Sequence, residues 1–405
     1  MNGSRAGAPQ FDRFTAIMVP TVLISASFAS VLSTDIYLPS LPYLPEYFST
    51  DAKSVQLTMS LNLAGFALAQ LIHGPLSDRF GRRPILLIGM IGFLLASLAC
   101  AAAQSIGQLV IARTLQGAAA SAEAVLILAV IRDLYDDTKA AKMLGIYGMS
   151  ISVAPAIGPL LGGYVFVWFG WRANFLLVSA VVAVITLLIW RFLSETTTPD
   201  REALRPRRLL FGYLGLLLKP DYMIYVTILA LSLAGLFAFV AGAPFVLIDR
   251  LGVRPQDYGY YQAIVVGAYF VGNLIASRII EKVPSEWLLR SSLVFMALGG
   301  ALLPLLLVMD LETPLALAGA MSFFGLGLAL IFVTAPVRAL AAAGTGGGLA
   351  SALLSAVEMG GGALGAASIN TFYDGTAYPM AITVAACGIG ALVIYETWRV
   401  FRAAA

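Results

Sequence analysis

Long apolar runs follow one another along almost the whole chain, separated by short polar segments. An α-helix rises 1.5 Å per residue, so about 20 apolar residues cross the hydrocarbon core of a bilayer. Only 12% of the residues are charged, about half the share found in a soluble domain. The sequence therefore predicts an all-α membrane protein. Twelve transmembrane helices are predicted at residues 14–38, 54–75, 84–103, 107–131, 143–167, 173–193, 221–248, 259–280, 286–309, 314–337, 347–371 and 377–399.

The longest polar segment, residues 194–220, divides these runs six and six. It predicts a cytoplasmic linker between an N-terminal half, residues 1–193, and a C-terminal half, residues 221–405. Faint internal repetition supports this division, because residues 272–289 occupy the same place in the second half as residues 74–84 occupy in the first.

Lys and Arg residues are distributed unevenly between the two sides of the predicted helices. With the N-terminus placed inside, Lys53, Arg172, Arg250 and Arg254 are the four of the 25 that lie at external ends. Apart from Arg113, which falls inside a helix, all the others lie at cytoplasmic ends. Because cytoplasmic loops carry the excess of positive charge, both termini are predicted to be cytoplasmic. The first run is too long for the core of a cleaved signal peptide, so it is expected to remain as the first helix.

Residue types that would support other functions are scarce. Cys100 and Cys387 are the two cysteines, both lie inside apolar runs, and the chain has one histidine. A disulfide, a metal centre or a His-based catalytic triad is therefore not expected. A phosphate-binding loop of the form G-x₄-G-K-[ST] is absent, so ATP drive is not supported. The sequence predicts no cofactor, no nucleic-acid partner and no enzymatic activity, and a channel or receptor fits two related halves poorly.

Residues 74–84, with the sequence GPLSDRFGRRP, are predicted to form a short charged loop with a tight cytoplasmic turn between the second and third runs. Gly81 is predicted to take a positive φ, which glycine adopts without steric cost. Asp78 is predicted to accept hydrogen bonds from free amides at the start of the next helix. The spacing G-x-L-x-D-R-x-G-R-R resembles the signature loop between helices 2 and 3 of the major facilitator superfamily. This resemblance implies the major facilitator fold, with two pseudo-symmetric six-helix halves and alternating access between them.

The same resemblance implies a conformational role for this segment. Ion pairs at the cytoplasmic ends of the helices would hold the outward-facing state of such a carrier. The residues predicted to form this conformational gate are Gly74, Asp78, Arg79, Gly81, Arg82 and Arg83, with Arg132 and Asp133 at the end of the fourth helix.

Two charged residues, Asp35 and Arg113, fall in or at the end of apolar runs. A charge at the bilayer centre costs roughly 2.5–3.5 kcal/mol on insertion scales, so such residues usually face a cavity or a partner. Asp35 either carries a coupling proton or caps the end of the first helix. The neighbouring residues in the sequence are compatible with both interpretations. Arg113 stays protonated in a protein and needs a partner or solvation. Both residues are predicted to lie at one depth, and R-x-x-Q-G at 113–117 resembles the superfamily's helix 4 motif, which is implicated in proton transfer.

Two further acidic residues, Glu123 and Glu358, lie deeper in predicted helices. Glu123 follows Arg113 by ten residues, about 15 Å along a helix, and shares a broad face with it. It either binds a cationic substrate or a proton, or it is protonated and hydrogen-bonded between helices. Glu358 precedes three glycines at 360–362, and the same alternatives are open for it.

Glycine and proline recur in the fifth predicted helix as Gly145, Gly158, Pro159, Gly162 and Gly163. Proline removes a helical hydrogen bond, and glycine lets a neighbouring backbone approach closely. The pattern predicts a bent, closely packed helix near the seam of the two halves. It resembles the antiporter motif of superfamily exporters, G-x₈-G-x₃-G-P-x-x-G-G, with alanine in place of the second glycine. This resemblance favours export over import.

Residues 33–42, STDIYLPSLP, and 235–247, GLFAFVAGAPFVL, resemble the Bcr/CflA group of drug:proton antiporters. In that group Asp35 and Arg113 would be the proton-coupling pair. The resemblance implies proton-coupled efflux of small amphipathic compounds, such as several drugs or phenicol-type antibiotics, across the cytoplasmic membrane. The alternatives are export of a dedicated metabolite, for example a siderophore or a sugar or amino-acid derivative, and proton-coupled import of a nutrient. Protons, the substrate and lipid are the expected partners, and the carrier is expected to be a monomer.

Polar and aromatic side chains in the predicted helices could line a drug cavity between the halves. For each aromatic residue, packing in the core or against lipid is an equal alternative. The substrate-binding candidates are Tyr37, Asn62, Glu123, Phe237, Phe239, Tyr261, Gln262 and Glu358, with Phe323 and Phe324 as further aromatic candidates.

Overall fold

The computed structural model describes residues 13–200, 205–344 and 347–404, and the long elements within these ranges are helices. Twelve of these helices are long and apolar enough to cross a membrane. Each overlaps one predicted run, so the prediction of twelve membrane helices is confirmed. They are α1 (Arg13–Asp35), α2 (Ala52–Phe80), α3 (Arg82–Ala102), α4 (Ile106–Leu134), α5 (Asp137–Phe169), α6 (Trp171–Phe192), α7 (Pro220–Pro244), α8 (Pro255–Ile279), α9 (Ser285–Val308), α10 (Pro314–Ala343), α11 (Gly347–Phe372) and α12 (Tyr378–Ala404).

The chain between α1 and α2 is short and tightly turned. Residues Leu38–Tyr43 form a 3₁₀-helix, and one helical turn follows at Leu44–Tyr47. The side chain of Asp51 then caps α2 by accepting a hydrogen bond from the backbone amide of Ser54 at 2.8 Å. Hydrogen bonding to Ser54 favours the ionised carboxylate and lowers the pKa of Asp51 below its ordinary value. This junction fixes where α1 ends and therefore where Asp35 lies.

The charged segment 74–84 is helical over most of its length, which corrects its prediction as a loop. α2 continues to Phe80, and Gly81, with φ of 102°, links it to α3. The positive φ predicted for Gly81 is thus confirmed. Arg82 holds the last turn of α2, because its Nη1 lies 2.6 Å from Oδ1 of Asp78. Hydropathy placed the helix end too early because this final turn is polar.

The predicted linker contains a helix, Pro206–Leu217. Proline is favourable at the first position of a helix, where no intrahelical amide partner exists. The hydroxyl of Tyr213 donates to the carbonyl of Leu71 in α2 at 3.1 Å. Directly after this helix, Lys219 donates to the carbonyl of Ala343 at the end of α10 at 2.7 Å. The linker therefore contacts α2 in the first half and the end of α10 in the second.

The two six-helix halves meet along two helix pairs, α2 with α11 and α5 with α8. At the predicted external end, Nζ of Lys53 donates to the carbonyl of Thr371 at 3.5 Å, and the hydroxyls of Tyr164 and Tyr260 lie 3.2 Å apart. At the opposite end, a cavity of about 440 Å³ lies between α2 and α4 on one side and α11 on the other. The halves are therefore in contact at the predicted external end and separated by a cavity at the predicted cytoplasmic end.

Candidate functional site

The guanidinium group of Arg113 lies fully buried in α4 and is only partly hydrogen-bonded. Its Nη1 donates to the carbonyl of Ser33 at 3.2 Å and to Oε1 of Gln116. Gln116 is itself fixed by donating to Oγ of Ser97 at 2.8 Å. The Nε and Nη2 groups of Arg113 have no hydrogen-bond partner among the described residues. A buried cation with unused donors is strongly attracted to any anion or water that enters this site.

Two aromatic rings lie against the guanidinium group of Arg113. Its guanidinium carbon lies 4.3 Å from the ring centroid of Tyr37 and 5.9 Å from that of Phe175. A cation over an aromatic face is attracted by the ring quadrupole, more strongly when water is excluded. The hydroxyl of Tyr37 lies 3.2 Å from Oγ1 of Thr58. The substrate-binding candidate Tyr37 is therefore fully buried and engaged with Arg113 and Thr58.

Asp35 lies beside Arg113 but is not paired with it. Its side chain is 5% exposed, and it makes no hydrogen bond and no ion pair within 4.0 Å to the described residues. Arg113 binds the carbonyl of Ser33, two residues before Asp35, so the two charged groups share one depth, as predicted, and interact through their charges. Ionised carboxylates are seldom buried without a partner, so Asp35 is an unusual group in this position.

The glycines of α5 bring this helix into contact with the end of α1. A Cβ atom at Gly158 would lie 3.0 Å from Cβ of Asp35, and one at Gly162 would collide with the carbonyl oxygen of Ile36. Gly163 faces the other half, where a Cβ would collide with the carbonyl of Pro255 in α8. Close packing is therefore present at these glycines, against α1 at Gly158 and Gly162 and across the two halves at Gly163. Gly145 differs, because a Cβ there would meet no atom within 4 Å.

Pro159 lies between these contacts, inside α5. Its ring removes one backbone donor from a helix that continues on both sides. The combination lets α5 touch α1 with one face and α8 with another.

Glu123 is buried in the N-terminal half, where it links α4 to α1. Its Oε2 accepts a hydrogen bond from Oγ of Ser27 at 2.6 Å, and Ser30 and Tyr147 lie nearby. The neighbouring residues Ala124 and Val125 line the cavity. The structure thus shows Glu123 hydrogen-bonded between helices at the edge of the cavity.

Glu358 is buried in α11 and has no such partner. Its side chain is 7% exposed and makes no hydrogen bond to the described residues. Ser351 and Ser355, on the preceding two turns, line the cavity. One turn further on, Gly362 packs against the ring of Phe237. Helical spacing therefore places Glu358 between the cavity and Phe237.

The other substrate-binding candidates are distributed between the protein interior and its surface. Nδ2 of Asn62 donates to the backbone carbonyl of Arg113 at 2.7 Å and so joins α2 to α4. Phe239 and Phe324 are buried in the core, and Phe323 is 43% exposed on the surface. Gln262 is buried and Tyr261 is half-buried, both on α8.

A network of charges occupies the predicted cytoplasmic end of the N-terminal half. Besides its contact with Asp78, Arg82 lies 3.3 Å from Oδ2 of Asp133 through its Nε. The anion at the start of α3 is Glu195, whose two carboxylate oxygens accept from the backbone amides of Arg82 at 2.8 Å and Arg83 at 3.2 Å. The prediction that Asp78 occupies this position is wrong, because Asp78 belongs to the last turns of α2 and turns towards Arg82.

The remaining gate candidates surround this network. Gly81 packs against the carboxylate of Glu195, so a side chain there would displace it. Arg83 donates to the carbonyl of Trp190 at 2.7 Å, and Arg79 lies 5.9 Å from the ring of Phe80. Gly74, like Asp78, lines the cavity. Sequence patterns missed Glu195, although it is the acid that directly follows the sixth run.

Twelve membrane-capable helices in two halves, with unpaired charges buried where the halves meet, define a membrane carrier. The chain belongs to the major facilitator superfamily, whose family model matches residues 23–366. This membership places it among transporters rather than enzymes.

Similar proteins support this assignment. The chain is 32% identical over 326 residues to a chloramphenicol resistance protein of Pseudomonas aeruginosa, covering 80% of this chain and 77% of that protein. It is 30% identical over 363 residues to a bicyclomycin resistance protein homolog of Haemophilus influenzae, covering 89% and 91%. A D-xylose-proton symporter of known structure aligns with a TM-score of 0.74 at 15% identity, over 94% of this chain and 97% of that one, which shows the fold alone. The resemblance to Bcr/CflA-type exporters is confirmed.

Proposed function

We propose that this protein exports small amphipathic compounds, of multidrug or phenicol type, from the cytoplasm in exchange for protons. The two halves, residues 1–193 and 221–405 joined by the linker 194–220, would expose a central site alternately to the two sides of the cytoplasmic membrane. Both termini would be cytoplasmic, and the carrier would act as a monomer without a cofactor. The names of the resistance proteins at about 30% identity support the substrate class.

The observation that carries this proposal is the unpaired carboxylate of Asp35 beside the partly bonded guanidinium of Arg113. Burial away from water favours the neutral acid, and the neighbouring cation favours the ion. Two opposed influences of this kind let a carboxyl group bind and release a proton within one transport cycle. A proton entering from outside would neutralise Asp35, weaken its attraction to Arg113, and favour release of the substrate and return of the carrier.

The gate residues would stabilise one state of this cycle. In the described structure, the ion pairs of Arg82 with Asp78 and Asp133 lie within the N-terminal half, next to the cavity. Closure of this end would bring the network towards α11 on the opposite wall of the cavity. Neutralising Asp78 is then expected to bias the carrier towards the inward-facing state, and unchanged conformational populations would contradict this role.

The substrate would contact the cavity between α2, α4 and α11. Its walls carry Asp78, Arg132 and Gln70, and its inner end approaches Glu123 and Glu358. The candidates Glu123, Phe237, Tyr261, Gln262 and Glu358 remain proposals for substrate contact. Export of a dedicated metabolite would use the same path, and import of a nutrient would reverse the direction of net flux.

The test measures proton flux in liposomes that contain the purified protein, carry a pH gradient and receive a panel of drugs. Asp35→Asn is expected to abolish drug-evoked proton movement. Asp51→Asn is the matched control, because it removes a carboxylate at the same end of the bundle while asparagine still caps the helix. Flux that survives in Asp35→Asn would move proton coupling to Glu123 or Glu358. A native protein that is folded but unresponsive to every drug would contradict drug export.

A further inference from the structure

The hydroxyl group of Tyr258 is buried and unused. Tyr258 lies in the first turn of α8, its side chain is fully buried, and its hydroxyl has no hydrogen-bond partner among the described residues. Buried hydroxyls nearly always have a partner, because removing one from water without compensation is unfavourable. We therefore expect the hydroxyl of Tyr258 to find a hydrogen-bond partner in another conformational state of the carrier.

A short stretch of α5 brings Tyr258 and Asp35 to the same place. On one side of this stretch, Gly158 packs against Asp35. On the other side, Gly163 packs against the backbone of Pro255, three residues before Tyr258. Residues three apart share one face of a helix, so Tyr258 lies on the face of α8 that meets α5. Asp35 and Tyr258 also interact electrostatically across the two halves.

Arg113 is the other group that faces Asp35, from α4. Its Nη1 is bound to the carbonyl of Ser33, whereas its Nε and Nη2 have no partner among the described residues and are free to donate. A carboxylate has two oxygens that accept several hydrogen bonds, so Arg113 and Tyr258 can both donate to Asp35. The hydroxyl of Tyr37 is engaged with Thr58, and α5 contributes a glycine at the contact. Arg172, at the same end of α6, donates to backbone carbonyls at the end of α3. Among the described residues, Tyr258 is therefore the titratable group that faces Asp35 from the C-terminal half.

We propose that Tyr258 is a positioning residue through which the C-terminal half senses the charge on Asp35. Its hydroxyl would donate a hydrogen bond to the carboxylate whenever the carrier is empty and Asp35 is ionised. This bond would hold α8 against α1 and α5 and so keep the predicted external end closed. The proposal rests on the proposed exchange of protons for substrate. It adds the group that prevents the empty carrier from changing between its inward-facing and outward-facing states.

An antiporter needs such a group. It must change conformation only with a proton or with substrate bound. If the empty carrier also changed conformation, protons would flow down their gradient without any transport of substrate. A hydrogen bond to a carboxylate is about twice as strong as a neutral one and weakens when the carboxylate is protonated. It can therefore retain the empty, ionised carrier and release the protonated one, and bound substrate would release it by opening the contact between the halves.

The test measures proton entry into liposomes under a pH gradient, with a pH-sensitive dye inside and no drug present. Tyr258→Phe keeps the ring and removes the hydroxyl. It is expected to admit protons about tenfold faster than the native protein, the population change expected when one hydrogen bond to a charged group is lost. In Tyr258→Phe combined with Asp35→Asn, the leak should return to the native level, because no proton is carried.

Tyr260→Phe is the matched control. Tyr260 meets Tyr164 across the same helix pair, so its loss weakens the interface without touching Asp35. An equal leak in this control would overturn the proposal, since it would report a general loosening of α5 and α8. A leak that persists in the double variant would also overturn it, because that leak would not depend on Asp35.

A native-like proton barrier in Tyr258→Phe, with the variant shown to be folded by its thermal unfolding in detergent, would equally overturn the proposal. Drug-evoked flux is recorded separately in the same vesicles. Its absence in the native protein would count against the proposed function, whereas the leak of the variants is measured without any drug. The two failures are therefore distinguishable.

Discussion

Two charged regions of the N-terminal half use the same residue types in opposite ways. At the predicted cytoplasmic end, Arg82 has both Asp78 and Asp133 within ion-pair distance, and these acids are partly exposed. At the predicted external end, Arg113 and Asp35 are buried side by side without an ion pair. In the first region the charged groups are paired with one another, whereas in the second they are not.

This difference has a physical reason. Exposed ion pairs contribute up to about 1 kcal/mol each and tolerate the loss of one member, because water replaces it. A buried charge without its partner is far more costly, so its environment responds strongly when its protonation changes. The network around Arg82 is therefore consistent with the proposed gate of modest strength, and the Asp35 region with the proposed site where one proton alters the preferred conformation.

The largest expected effect comes from the packing that keeps the Asp35 region dry. Gly162→Val would place a branched side chain against the carbonyl of Ile36, and backbone atoms cannot rotate away. We expect loss of the contact between the halves at the predicted external end or a destabilisation of about 3 kcal/mol or more. Thermal unfolding and the accessibility of a cysteine placed at that end would measure this.

Gly145→Ala is the control for that change within the same motif. Nothing lies within 4 Å of a Cβ at Gly145, and alanine favours a helix interior over glycine by about 0.5–1 kcal/mol. Equal damage from both substitutions would show that the motif acts through helix flexibility rather than through contact with α1.

The next effect compares one substitution in the two regions. Arg113→Lys is expected to reduce drug-evoked proton flux about tenfold or more, because lysine lacks the planar guanidinium group that stacks on Tyr37 while its Nη1 donates to Ser33 and Gln116. Arg82→Lys keeps a cation near Asp78 and Asp133, so we expect only a severalfold reduction. Liposome flux assays at matched protein density would measure both, and equal losses would break the distinction between the two regions.

A smaller effect concerns the acid that sequence patterns did not find. Glu195→Gln removes the negative charge at the start of α3, where an anion contributes about 0.3–1 kcal/mol. We expect the linker to detach more often, seen as a severalfold faster proteolytic cleavage near residues 196–200, with added salt weakening the native linker in the same direction. Glu312→Gln, which removes the partner of Arg250 at the other end, should leave cleavage unchanged.

The fold was largely readable from the sequence, because each membrane helix must supply its own backbone hydrogen bonds and an apolar surface. Hydropathy does not detect polar helical segments. The sequence therefore did not predict that α2 extends past residue 75, nor that the linker contains the helix Pro206–Leu217. Local motifs singled out Asp35, Arg113 and the glycines of α5, and their functional roles stay predictions.

Contacts between distant segments were not readable. Glu195 lies 113 residues from Arg82 in the chain, and no local pattern connects them. Tyr258 resembles the many tyrosines that lie at membrane interfaces, and its burial beside Asp35 becomes visible only when α5 and α8 are packed together. Chemistry that depends on two halves meeting cannot be seen in either half alone.

The smallest expected effect sharpens the comparison with an acid that is exposed and satisfied. The hydrogen bonds from Ser54 lower the pKa of Asp51 from its ordinary value of 3.8. A lowered native pKa means that this cap stabilises the fold above the unfolded-state pKa and loses that contribution as the pH falls through the native value. Asp51→Ser keeps a capping oxygen that does not titrate in this range. Its unfolding temperature should therefore fall slightly less than that of the native protein between neutral and acidic pH, and an identical fall would show that the cap carries no pH-dependent stability.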